Sequence, residues 1–400
     1  MIAFGRYARL LREPGVGSSV LASVVGRLPI GIAAFSIILL VQARRGSFVS
    51  AGVASACYVL GLGLLAPVVG RLIDRLGPRP VLIATAAGYP LALAVLIALV
   101  SSAAPALWID ASALLAGALL PPVTICMRTL LPRLLREPAQ LHTAYSVDSV
   151  LIEIMFIAGP LLVALFVAHG SPAGAVALAA VTGGAGALIF LGAPAIRAWE
   201  ITATARRDWF GPLHGAQLRR LYAITFVYSS AFGLLEIAVT AFATHAGRPA
   251  AAGALLAAAS IGSALGALVY GSHDWRWPPQ RQFVAALVLM ALGMLPLAAV
   301  ANIYWFGALC LIGCMPMAPV LAIQSVLTSR LAPPNMAAES FTWGGTCLLA
   351  GIGAGTTLGG LLVERLSPGA ALVVAATATM AGAVAARLWL RGHDGIEAVR

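Results

Sequence analysis

Lysine is absent from this 400-residue chain: all 25 basic side chains are arginines. Acidic residues number only 14, and charged residues of all kinds make up 10% against 60% hydrophobic. A soluble domain carries about 25% charged residues, so a water-facing globular protein is not the expected product. The five cysteines (Cys57, Cys126, Cys310, Cys314, Cys347) all sit inside apolar stretches. Cys310 and Cys314 share a helix face, but no histidine or carboxylate completes a metal site, and no metal or cofactor is expected. The six histidines (His142, His169, His214, His245, His273, His393) fall near helix ends or in loops. No nucleophile–base pair, metal cluster or phosphate loop is present. The glycine-rich run from Gly351 to Gly360 lacks the strand-to-helix context of a cofactor loop. The chain is therefore not read as an enzyme.

What the chain does have is long apolar runs. Spans near 18–42, 50–69, 80–101, 106–127, 142–168, 173–194, 219–244, 250–271, 282–301, 303–327, 336–363 and 368–390 are each long enough to cross a hydrocarbon core, which takes roughly 20 residues. Backbone groups in lipid must be paired internally, and the short alternating segments of a barrel are missing, so twelve transmembrane helices are expected. The first apolar stretch is too long for a cleavable leader. With both termini in the cytoplasm, 20 arginines lie on the cytoplasmic side and four outside (Arg44, Arg45, Arg248, Arg365), while Arg27 lies within a helix. This split follows the positive-inside rule. It accounts for the net charge of +11 without a nucleic-acid partner.

The chain repeats itself at a spacing of about 200 residues, as duplicated transporter halves do. Asp74 and Pro78 correspond to Asp274 and Pro278, and Gly159-Pro160 to Gly359-Gly360. The expected division is a six-helix bundle over 1–195, a cytoplasmic connector over 196–217 and a second bundle over 218–400. The connector holds Arg197, Glu200, Arg206, Arg207 and Asp208, and Trp199, Trp209 and Phe210 would rest it on the membrane surface.

Between the second and third spans stands Gly70-Arg71-Leu72-Ile73-Asp74-Arg75-Leu76-Gly77-Pro78-Arg79. Its pattern, G-x-L-x-D-R-x-G-x-R, resembles the signature loop of the major facilitator superfamily. That resemblance implies an all-α membrane fold of two pseudo-symmetric six-helix bundles. Helices 1, 4, 7 and 10 would line a cavity, and helices 2, 5, 8 and 11 would form the interface between halves. It also implies that Asp74 faces the N-terminal end of helix 11, just after Pro333-Pro334-Asn335, and holds the halves closed on the cytoplasmic side. Arg75 and Arg79 would bond neighbouring acids or lipid phosphates, while Gly70 and Gly77 would allow sharp turns. Two departures weaken the likeness to drug–proton antiporters of the superfamily. Ala113 stands where they carry an arginine four residues before a glycine (here Gly117), and Met155 occupies a glycine position ahead of Gly159-Pro160.

Ionisable groups at membrane depth are costly and usually paired or functional. Arg27 in helix 1, Asp148 and Glu153 in helix 5 and Glu236 in helix 7 are the candidates for ion pairing or proton coupling. Asp110 and Glu339, nearer helix ends, rank below them. Arg27 overlaps the two helix 5 acids in depth and can pair with one of them, as a fixed strut or a switch. Arg27 cannot release its proton, so any proton carrier should be Glu236, Glu153 or Asp148. Tyr228, Phe232, Glu236 and Thr240 recur every four residues and share one face of helix 7. Gly351, Gly355 and Gly359 repeat likewise in helix 11, as close packing or as a sliding surface between halves.

With Phe35, Met315 and Gln324 added, the candidate cavity is apolar and aromatic. The expected function is export of a lipophilic or amphiphilic small molecule by alternating access. Protons are the expected coupling ion, the protein is expected to be monomeric, and the expected site is a bacterial cytoplasmic membrane. A uniporter or symporter of a small metabolite, or a non-transporting receptor, are the alternatives.

Overall fold

A computed structural model describes residues 4–46, 48–169, 171–199, 211–248 and 251–390. Among the described residues, twelve helical spans are long and apolar enough to cross a membrane. In order, helices 1 to 6 are Val16–Arg45, Ser50–Leu76, Pro78–Ser101, Ala106–Leu134, Pro138–Val167 and Pro172–Leu191. Helices 7 to 12 are Ala216–His245, Ala251–Gly271, Pro279–Ala299, Ile303–Leu331, Ala337–Arg365 and Pro368–Trp389. A short N-terminal helix, Phe4–Arg12, precedes them and buries Tyr7 and Leu10 while Arg9 and Arg12 are exposed. On the arginine-rich side several helices run past the apolar stretch. Helix 2 continues to Leu76, so the charged segment expected as a connector forms its last turns. Only Gly77 breaks the chain there. Its φ of 77° is one that L side chains rarely adopt, and Pro78 then opens helix 3.

Three of the four helices expected to line the cavity are interrupted. Helix 1 breaks between Arg27 and Pro29, helix 4 between Ala118 and Val123 at Pro121-Pro122, and helix 10 between Gly313 and Met317 at Pro316. In each case a proline removes a backbone donor and crowds the preceding turn. Helix 7 runs unbroken from Ala216 to His245.

Glycine sets the internal packing of each half. A Cβ at Gly31 would collide with the Met155 carbonyl, fixing helix 1 on helix 5, and one at Gly61 with the Leu114 carbonyl, fixing helix 2 on helix 4. The second half repeats both seams: Gly233 meets Ile352 between helices 7 and 11, and Gly262 meets Leu311 between helices 8 and 10. Gly351 and Gly355 lie in the first of these, against Ser229 and Ser230. They bind helix 11 to its own half, so the structure gives them no part in a sliding surface between halves.

The apolar core is distributed unequally across the membrane. One cluster joins cytoplasmic residues of the first half (Val16, Ile73, Val81, Met127, Leu130) to the core of the second (Leu221, Tyr228, Phe283, Ile323). The outer residues of the first half, among them Ile37, Leu40, Tyr58, Leu96 and Val176, form a separate cluster. The halves are thus packed together at the arginine-rich face and lie apart toward the opposite one.

Candidate functional site

Asp74 sits two residues before the end of helix 2, and its two carboxylate oxygens accept from free amides in the first turn of helix 11. These are Ala338 N at 3.0 Å and Glu339 N at 2.8 Å. A helix N-terminus offers unpaired donors and a partial positive charge, which a carboxylate satisfies. One turn earlier, Arg71 forks onto Glu339, with Nη2–Oε1 at 2.5 Å and Nε–Oε2 at 3.3 Å. Glu339 is only 2% exposed. Though near a helix end, it is buried at the contact of helices 2 and 11 with its charge paired and its amide held by Asp74. Gly70 also departs from expectation. It lies within helix 2, where a Cβ would stand 2.8 Å from the Ala338 carbonyl, so it permits the close approach of helices 2 and 11 rather than a turn. Arg75 and Arg79 are exposed and have no acidic partner among the described residues.

The matching contact between helices 5 and 8 is built differently. The Tyr270 hydroxyl donates to Gln282 Oε1 at 2.6 Å and so accepts from His142 Nδ1 at 2.9 Å. Thr143 Oγ1 donates to the Gly271 carbonyl at 2.8 Å. The N-terminal helix reinforces this side: Tyr7 donates to the Leu268 carbonyl, and Arg6 pairs with Asp274. Burial pushes the Tyr7 phenol up to about 12, so it remains a donor at physiological pH. Asp274, the counterpart of Asp74 in the repeat, therefore binds an arginine and caps no helix.

Deeper in the membrane, Asp148 lies between two guanidiniums. Arg27 Nη2 is 2.6 Å from Oδ1 and Arg128 Nε is 2.6 Å from Oδ2. Side-chain exposure is 0% for Arg27, 3% for Asp148 and 23% for Arg128. Of the two acids weighed as partners for Arg27, the structure selects Asp148. It then adds Arg128, a residue the sequence had assigned only to topology. Glu153 reaches the other half, accepting from Ser263 Oγ of helix 8 at 2.7 Å. The same Ser263 oxygen accepts from Ala318 N at 3.0 Å, one of the amides freed by the break in helix 10.

The helix 7 residues do not share a single exposure. Tyr228 is fully buried; its ring meets Phe232 and Phe283 edge-on at 5.9 and 6.0 Å, and its hydroxyl donates to Gln324 Oε1. Tyr228 and Gln324 thus belong to the core of the second half, with Phe232 at its margin. Glu236 and Thr240 are exposed. Lower on the same side of the helix, at 100° per residue, Tyr222, Thr225 and Ser229 are buried. The side that is covered near the cytoplasm therefore opens at Glu236. Among the described residues no hydrogen bond or ring contact ties Phe35 or Met315 to the other candidates; Phe35 is 41% exposed and Met315 lies at the helix 10 break.

In the connector, Trp199 packs under the Arg133 guanidinium at 4.1 Å. Trp209 and Phe210 lie outside the described residues. Arg71 and Arg128 are the members that sequence reasoning missed, and Glu339 is one that it ranked too low. Arg71 could have been found from its spacing, since it precedes Asp74 by three residues and shares its face.

Twelve spans in two pseudo-symmetric halves, clasped at one membrane face around a signature acid, define a multi-pass membrane transporter. Residues 20–355 match the sequence profile of the Major Facilitator Superfamily, and the chain belongs to that family. Solved structures that share the fold include the following three. The human organic anion transporter TETRAN is 17% identical, with 93% of this chain and 99% of that one covered and a TM-score of 0.76. A bacterial homologue of the iron transporter ferroportin, in its outward-facing state, is 14% identical, with 94% and 98% covered and a TM-score of 0.78. The fucose:proton symporter of E. coli is 12% identical, with 94% and 99% covered and a TM-score of 0.70. None of the curated protein sequences compared with the chain matches it.

Proposed function

We propose that the protein is a proton-coupled secondary transporter that exports a lipophilic or amphiphilic small molecule across a bacterial cytoplasmic membrane as a monomer. Alternating access moves helices 1–6 against helices 7–12. The observation that carries the coupling is Glu236: a carboxyl at membrane depth, without an ionic partner among the described residues, on the side of helix 7 that opens away from the cytoplasm. Low dielectric penalises its charge, and access to water lets it exchange a proton. Glu153, hydrogen-bonded across the halves to Ser263, is the second proton candidate. Export is favoured by the intact helix 2–3 signature.

The test is transport in liposomes with an imposed pH gradient. Glu236→Gln is expected to abolish uphill movement while downhill exchange of the same substrate continues. Uphill transport that persists in Glu236→Gln and in a Glu236→Gln, Glu153→Gln double variant removes both residues from the coupling path. A protein that moves substrate only downhill, with or without a gradient, is a uniporter.

A further inference from the structure

Two guanidiniums and one carboxylate leave the Arg27–Asp148–Arg128 group with one positive charge in excess. Asp148 has no capacity left to balance it, since each of its oxygens already faces one arginine. Other acids of the bundle are engaged elsewhere, Glu339 with Arg71, Asp74 with the end of helix 11 and Glu153 with Ser263. Burying a net charge in a low-dielectric interior is costly unless a partner arrives. Donors are in excess too: Arg27 Nε and Nη1 are buried without a hydrogen-bond acceptor.

The location suits a ligand. From their positions along helices 1 and 5, Arg27 and Asp148 lie roughly 15 Å from the cytoplasmic helix ends. Arg128 is partly exposed and within electrostatic reach of Tyr228, whose hydroxyl holds Gln324 in the opposite half. The helix 5 side is fixed by Tyr145, which donates to the Arg128 carbonyl at 3.1 Å and holds that turn of helix 4. The surplus cation therefore lies at the break in helix 1, on the side of the first half nearest the second, with the Tyr228 hydroxyl within electrostatic reach.

We propose that this group binds an acidic moiety of the transported molecule, a carboxylate, sulfonate or phosphate, and that the substrate is an amphiphilic anion. The inference rests on the transporter reading above and names the substrate class of that site. Arg128 is reached first, being the exposed member. Arg27 supplies Nε and Nη1 once helix 1 yields at Pro29. Guanidinium is suited to this, because its planar fork matches the oxygens of a carboxylate or phosphate.

The experiment uses the purified full chain in lipid nanodiscs and three probes with one aromatic body: pyrenebutyrate, its neutral methyl ester, and pyrenebutylamine. Pyrenebutyrate is expected to bind roughly tenfold or more tightly than either of the others, the scale of one charge-assisted hydrogen bond. Arg128→Gln should erase that preference, and Arg128→Lys should keep part of it. Thermal melting of each variant separates loss of binding from loss of folding. Equal binding of the three probes, failure of pyrenebutyrate to bind, or a preference that survives in folded Arg128→Gln overturns the proposal. Arg128-dependent binding of the acid in a protein that moves no probe across liposomes leaves the anion site standing and overturns the transporter reading instead.

Discussion

Asp148→Asn is expected to be the most damaging single polar substitution in the chain. It leaves the Arg27 and Arg128 guanidiniums facing each other with no anion between them, and Arg27 has no exposed surface through which to draw water. Removing one member of a buried ion pair typically costs about 3–5 kcal/mol. The variant should therefore melt well below the wild type in detergent and accumulate poorly in the membrane. Adding Arg27→Gln should recover much of the loss, because the remaining charge, Arg128, is partly exposed. That recovery is a coupling between neighbours and should appear as strong non-additivity in the double-mutant cycle. Melting of Asp148→Asn within about 0.5 kcal/mol of wild type, the range of ordinary surface changes, would show that the carboxylate does not hold this group together.

Loosening the gate should change access rather than stability. Asp74→Asn exchanges a carboxylate that accepts two amide hydrogen bonds for a neutral group able to accept through one oxygen. A hydrogen bond to a charged group contributes about 1.5–3 kcal/mol, so the closed gate should lose roughly ten- to a hundredfold in population relative to the open one. Gly70→Leu should act in the same direction and more strongly, because its side chain would occupy the space of Thr342 and the Ala338 carbonyl. Both effects are measurable with a cysteine at Ser340, a fully buried position on helix 11, in a background lacking the native cysteines. Labelling by an impermeant maleimide from the cytoplasmic side should be slow in the parent and fast in both variants. Equal labelling rates would mean that the helix 2–11 contact does not decide which face is open.

Much of the architecture was legible because bilayer physics writes it in one dimension. Run length gives the spans, and arginine placement gives the orientation. The position of Asp74 was legible through the signature that surrounds it. What escaped were features set by three-dimensional depth. Arg128 lies among basic residues that the positive-inside rule explains already, so nothing in the sequence marked it as reaching back to Asp148. Glu339 stands near a helix start, which in most helices means water, but here helix 2 covers it, with Arg71 on its carboxylate and Asp74 on its amide. Tyr228 shares a helix side with Glu236 in a coarse period-four reading, but each four-residue step drifts by about 40°, and the two steps between them turn the Tyr228 ring inward, where Phe283 and Gln324 receive it. The breaks in helices 1, 4 and 10 were signalled by prolines but could not be separated from tolerated kinks, as Pro67 and Pro160 remain inside continuous helices.

Those breaks give the cavity one stiff post and three jointed walls. Helix 7 spans its full length without interruption, while helices 1, 4 and 10 each carry a proline joint partway through the membrane. The outer segments of the three can lean inward by bending at those joints, with carbonyls already released from the ladder and Ser263 already serving one amide at the helix 10 joint. In the transport cycle proposed above, sealing the outer mouth over a bound molecule would require only the folding of short leaves toward a fixed column, before any movement of one whole bundle against the other.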